Sequence, residues 1–110
     1  MAIYMWQGSY TAESWAAQMK NPQNRVEAVG KAACEAVGGK LIGGWYAFGE
    51  YDLVIIADLP NPEAMAAIAI ALGAGGAVKS AKTTVLMSGT AGVTAIAKAN
   101  EVAKVYRPAH

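Results

Sequence analysis

One cysteine and one histidine stand in 110 residues. Cys34 alone cannot form an intrachain disulfide, and Cys34 and His110 are too far apart to make a zinc motif. Their surroundings point to nothing more reactive: Cys34 falls beside Ala33 in an apolar stripe and reads as a small buried hydrophobe, and His110 stands in what reads as a frayed terminus. Charge is also scarce. Charged residues make up 15% of the chain, the formal net charge is +1, and no Lys/Arg run occurs. The electrostatic footprint of a nucleic-acid binder is therefore missing. No apolar run reaches the ~20 residues of a membrane span. The opening MAIYMWQGSY lacks the basic-then-apolar order of a signal peptide, so a soluble, cytoplasmic protein is expected. The carboxylates of Glu50, Asp52 and Asp58 match no metal-loop spacing. GAGG at 73–76 holds no GxGxxG pattern and follows a helical segment, which makes it a helix stop and not a phosphate cradle. Neither a metal nor a cofactor is expected.

Apolar surface, by contrast, is abundant. Hydrophobic residues make up 55% of the chain, many of them alanine. A single small domain has too much surface for its volume to hide that much apolar material. Self-association is the simplest resolution, as a homodimer or higher oligomer.

The local patterns predict strands at 2–10, 40–48, 51–59 and 77–87. Thr11 is placed to cap a short helix from Ala12. Asn21-Pro22 interrupts it and is expected to cap and start a second helical segment running to about Val37. Asn61-Pro62 repeats the device ahead of a helix over 62–72, and a last helix is predicted over 90–106. The helix over 62–72 shows no polar residue after Glu63, which predicts two buried sides: Met65, Ile68 and Leu72 on its own sheet, Ala66 and Ile70 on a partner or on the last helix. The fold class is α+β: a ferredoxin-like βαββαβ antiparallel sheet with helices on one face, plus a C-terminal helix. Two strands are apolar on both faces. Leu53, Ile55, Ala57 and Leu59 alternate with Val54 and Ile56, and Tyr4 and Trp6 alternate with Ile3 and Met5. Helices suffice for one face, so a second subunit is expected on the other.

The stretches SYTAES, NPQNRVEA, GGKL, GEYD and PNPEAMAAIAIALGAGGAVKSAKT occur in this order between about residues 4 and 88. Their combination resembles the GYD-domain family, small proteins of the dimeric α/β-barrel class with no settled activity. The family's name motif falls on Gly49, Tyr51 and Asp52, with Glu50 inside it. The resemblance implies a domain over 1–88; residues 89–110 depart from it and are expected to form a helical extension packed on the same domain.

Six residues are candidates for a ligand site. Tyr51 and Asp52 stand at the mouth of a core strand. Asp52 can serve as a general base in a partly buried pocket, or it can bond backbone amides at the hairpin while Tyr51 packs at a sheet edge. Tyr4, Trp6 and Trp45, with Tyr10 and Tyr46 on the same two strands, can border a shared aromatic cavity, or simply fill core and interface. Arg25 can meet an acidic ligand, or lie solvated on its helix. Three functions stay open: a homo-oligomeric module that binds a small apolar or aromatic ligand or regulates; a cofactor-independent oxygenase or isomerase, by analogy of fold; or a structural assembly protein.

Overall fold

The computed structural model describes residues 1–109, so His110 lies outside the described residues. The elements run β1 (Ala2–Tyr10), α1 (Ala12–Lys20), α2 (Arg25–Ala36), β2 (Lys40–Tyr46), β3 (Leu53–Leu59), α3 (Pro62–Ala74), β4 (Val78–Leu86) and α4 (Gly89–Ala103). The four strands form one antiparallel sheet in the order β2-β3-β1-β4. The apolar two-sided strands β1 and β3 are therefore its centre.

Side-chain caps set the helix starts. Thr11 Oγ1 accepts the Ser14 N–H at 3.1 Å, and Asn61 Oδ1 accepts the Ala64 N–H at 2.9 Å. Both match the expected caps, with Pro62 in the first turn of α3. The expected cap at Asn21 is corrected. Asn21 ends α1, and Asn24 starts α2 by accepting the Glu27 N–H at 3.3 Å. Pro22 lies in the break, where its fixed φ suits an extended link as well as a first turn. The first crossover thus carries two separate helices, and the element order is βααββαβα.

One sheet face is closed by helices. Tyr4, Trp6, Leu53, Ile55, Ala57 and Leu59 are buried there with Val26 and Cys34 of α2 and Met65 and Ile68 of α3. Burial, and then the neighbouring Glu35, push the Cys34 thiol up, so it stays protonated as a packing group. Contact with α2 is close at Gly44, where an added Cβ would stand 2.8 Å from Val26 Cγ1.

The other face is only partly covered. Ile3, Met5, Val54, Ile56 and Asp58 alternate with the buried positions and remain half-exposed. The outer side of α3 is open as well: Met65 and Ile68 face inward as expected, but Ile70 is 70% exposed and Ala66 is also exposed. Residues 89–103 form the helix expected of the C-terminal extension. No residue of α4 is buried, so it does not cover α3 within the chain. The radius of gyration is 17.2 Å, where a compact chain of this length has about 13 Å.

Gly44→Val should force α2 away from β2 and lower stability by about 1–3 kcal/mol. Gly73→Ala, at a helical glycine with open space around it, should instead raise stability by up to about 1 kcal/mol. Thermal denaturation of the two variants checks the opposite signs.

Candidate functional site

The GEYD turn acts on β1. The Asp52 N–H donates to Gly8 O at 2.8 Å, and the Asp52 carboxylate, through Oδ2, accepts the Tyr10 N–H at 2.9 Å. The Ser9 hydroxyl donates to Glu50 O at 3.2 Å, and the Ala47 N–H donates to Asp52 O at 2.8 Å. These bonds hold the last three residues of β1 against the hairpin. There the β1–β4 register also shifts, with Ser9 opposite Ser80 and Tyr10 opposite Val78. Of the two readings of Asp52, its contacts are those of the backbone clamp.

The clamp fixes Tyr10 at the end of a cavity of about 240 Å³ between the sheet and the helices. Trp6, Leu53 and Ile55 supply its floor, Val26 and Val29 one wall, and Leu72 the other. Ser14, Arg25, Gly75 and Ala77 also line a second cleft of about 350 Å³, whose other residues include Glu13, Gln18, Asn21 and Gln23. An apolar chamber therefore meets a polar cleft at Arg25. Trp6 is 2% exposed, and its Nε1–H has no acceptor among the described residues. A buried donor left unpaired costs about 1–3 kcal/mol, and this one is closed off from the chamber that the Trp6 ring lines. The Trp6 ring also needs Gly8 beneath it: a Cβ at that position would stand 2.6 Å from the ring edge.

Burial pushes the Tyr10 phenol up, with Tyr46 and Asp52 adding to the rise and the Arg25 guanidinium and Gln18 opposing it. The phenol is thus a neutral donor and acceptor at ordinary pH. From Tyr10 an aromatic run leads outward. Trp15 meets it edge-on with centroids 5.0 Å apart, and Phe48 stacks on Trp15 at 6.4 Å and on Tyr46 at 5.9 Å. Phe48 is 76% exposed and holds φ at +52°, a left-handed conformation uncommon for a bulky side chain.

Of the six candidate residues, Trp6 and Arg25 line the cavity together. Tyr4 is buried on the same sheet face two positions along and does not line it. Tyr51 is half-exposed, and neither it nor Asp52 lines the cavity. Trp45 pairs with Val54 on the opposite face, 55% exposed, with its ring over Gly43. The cavity also uses Tyr10, Ser14, Val29 and Leu72, which lay outside the candidate set. Tyr10 was signalled by sharing its strand parity with Trp6, and Leu72 by closing the stripe from Met65. Among the described residues, no three His, Cys, Asp or Glu side chains are grouped to hold a metal, and no helix is long and apolar enough to cross a membrane.

The family model described as GYD domain matches residues 4–96, and so runs past the boundary expected at 88 into the first half of α4. A solved structure titled "crystal structure of FFRP-DM1" is similar in fold, with a TM-score of 0.54 and 12% identity over 79% of this chain and 100% of that chain. No curated protein matches the chain.

Asp52→Ala should strand the Tyr10 N–H and cost about 1–3 kcal/mol, while Asp52→Asn, which keeps an acceptor, should lose less. Chemical denaturation of both variants measures the difference. A second expectation concerns pH. With the Tyr10 pKa raised above its ordinary value of 10.0, its contribution to stability is full below that pH and is lost as pH rises through the folded-state value. The alkaline fall in stability should be shallower in Tyr10→Phe than in the parent; equal slopes would contradict it.

Proposed function

The chain belongs to the GYD-domain family, and we propose that it is a homo-oligomeric module of the ferredoxin-like, dimeric α/β-barrel type that binds a small molecule in the helix-side cavity. The observation that carries this reading is the chamber of about 240 Å³, apolar over the Trp6 ring and meeting a polar cleft at Arg25. The lining selects the ligand. Trp6, Leu53, Ile55, Val26, Val29 and Leu72 suit a compact apolar or aromatic body. Arg25, at the junction with the polar cleft, suits a carboxylate or similar anionic group pointing outward. Binding without turnover is favoured over catalysis because Asp52, the candidate base, is engaged by the Tyr10 backbone and stands outside the lining.

Assembly is the second half of the proposal. The half-exposed Ile3, Met5, Val54 and Ile56 make an apolar sheet face that a second copy would cover.

Two measurements test these halves separately. Mass spectrometry of the native protein should find a small compound that co-purifies with it. Val29→Phe, which fills the chamber, should lose that compound while keeping the far-ultraviolet circular dichroism of the parent. A parent protein that carries nothing, or a variant that retains the compound equally, counts against the site. Light scattering at micromolar concentration should give at least a dimer, and Ile56→Lys should dissociate or unfold it, because an unpaired buried charge is costly. A monomeric parent would refute the assembly.

A further inference from the structure

We propose that helix α4 is an exchange arm that docks on a second copy of this chain, in the groove between α2 and α3. The helix has two unlike sides. Gly92, Ala95, Ile96, Ala99 and Val102 follow the i, i+3, i+4, i+7 spacing of one helical face, while Thr94, Lys98 and Glu101 share the other. An apolar face of this kind is made to be covered, yet Ile96 is 72% and Val102 62% exposed.

The matching surface exists on the same chain. A groove of about 270 Å³ runs between the outer sides of α2 and α3. It is lined by Ala33, Ala36 and Val37 on one side and Ala67, Ile68 and Ala71 on the other, with no charged residue among its lining. Small residues on both partners let helix backbones approach closely, and Ile96 and Val102 are the side chains long enough to enter the groove. Docking would bury no charge on either side, since Lys98 and Glu101 point away from the apolar face of α4.

Area argues for a second copy as the occupant. The chain exposes 7311 Å², whereas a folded monomer of its mass exposes about 5,800 Å². The excess of about 1,500 Å² approaches two partner faces of the usual ~800 Å² each. Within one chain the arm and the groove do not meet, since no residue of α4 is buried and Ile96 and Val102 stand open to solvent.

A disulfide-trapping experiment on the full chain tests the arm. In a Cys34→Ala background, chains carrying Ala67→Cys are mixed with isotope-labelled chains carrying Ile96→Cys and oxidised. A disulfide joining residue 67 of one label to residue 96 of the other is expected, identified by peptide mass. The double variant Ala67→Cys/Ile96→Cys in one chain should give the same link between chains. A link within single chains, or no 67–96 link, would overturn the proposal. Independently, Ile96→Glu should raise the concentration at which the assembly dissociates at least tenfold, with Thr94→Glu on the polar side as the neutral control. An unchanged dissociation point in Ile96→Glu would also overturn it.

Discussion

Everything in this fold follows from a central pair of strands that are apolar on both sides. β1 and β3 are neighbours in the middle of the sheet, and their alternation sends Tyr4, Trp6, Leu53, Ile55, Ala57 and Leu59 to one face and Ile3, Met5, Val54 and Ile56 to the other. Three helices follow strands on the first face, and among the described residues the second stays half-exposed. The alanine-rich exterior of α3 and the apolar side of α4 repeat the condition elsewhere. In the proposed assembly a second copy would cover these surfaces, which would make assembly and fold one thermodynamic problem.

The site is a by-product of the same arrangement. Helices α2 and α3 cross the sheet above Trp6, and α1 leaves the end of β1 to stand beside Tyr10, so the three helices do not close over the sheet completely. The gap becomes the chamber, apolar where it touches the sheet and polar where α1 and the start of α2 meet it. The turn containing Tyr51 and Asp52 belongs to the support of this chamber. By holding the Tyr10 backbone through a carboxylate, it fixes the residue that links the chamber to Trp15 and Phe48 on the surface. A residue can thus be decisive for a site without lining it.

Strand parity made much of this legible in the sequence. It assigned Tyr4 and Trp6 to one side and Val54 and Ile56 to the other, and the Met65, Ile68, Leu72 spacing assigned the inner face of α3. Caps at Thr11 and Asn61 were equally readable, because the side chain that accepts the bond is itself the signal. Asn21 misled because Asn-Pro suits a helix start and a link alike, and only Asn24, three residues on, decided between them. The course of α4 was unreadable, since an apolar face says that it needs a partner and not where the partner is. The chamber was half legible. Trp6 and Arg25 were singled out by residue type, but their meeting depends on how far α2 stands from the sheet, which no local pattern encodes. Phe48 gave no warning at all, because a left-handed phenylalanine is set by the surrounding turn.

The chamber is the centre of this account, and the Trp6 ring that lines it reports on its contents through its indole resonance. The chain has three tryptophans, at 6, 15 and 45, so nitrogen-labelled indole resonances can be followed one by one in nuclear magnetic resonance spectra. Spectra of the protein as purified are compared with those of the same protein after unfolding, exhaustive dialysis and refolding. The Trp6 indole resonance should shift when the bound compound is removed, while that of Trp45, on the opposite sheet face, stays in place. A Trp6 resonance that does not move, in a protein that has demonstrably lost its co-purifying compound, would contradict the account.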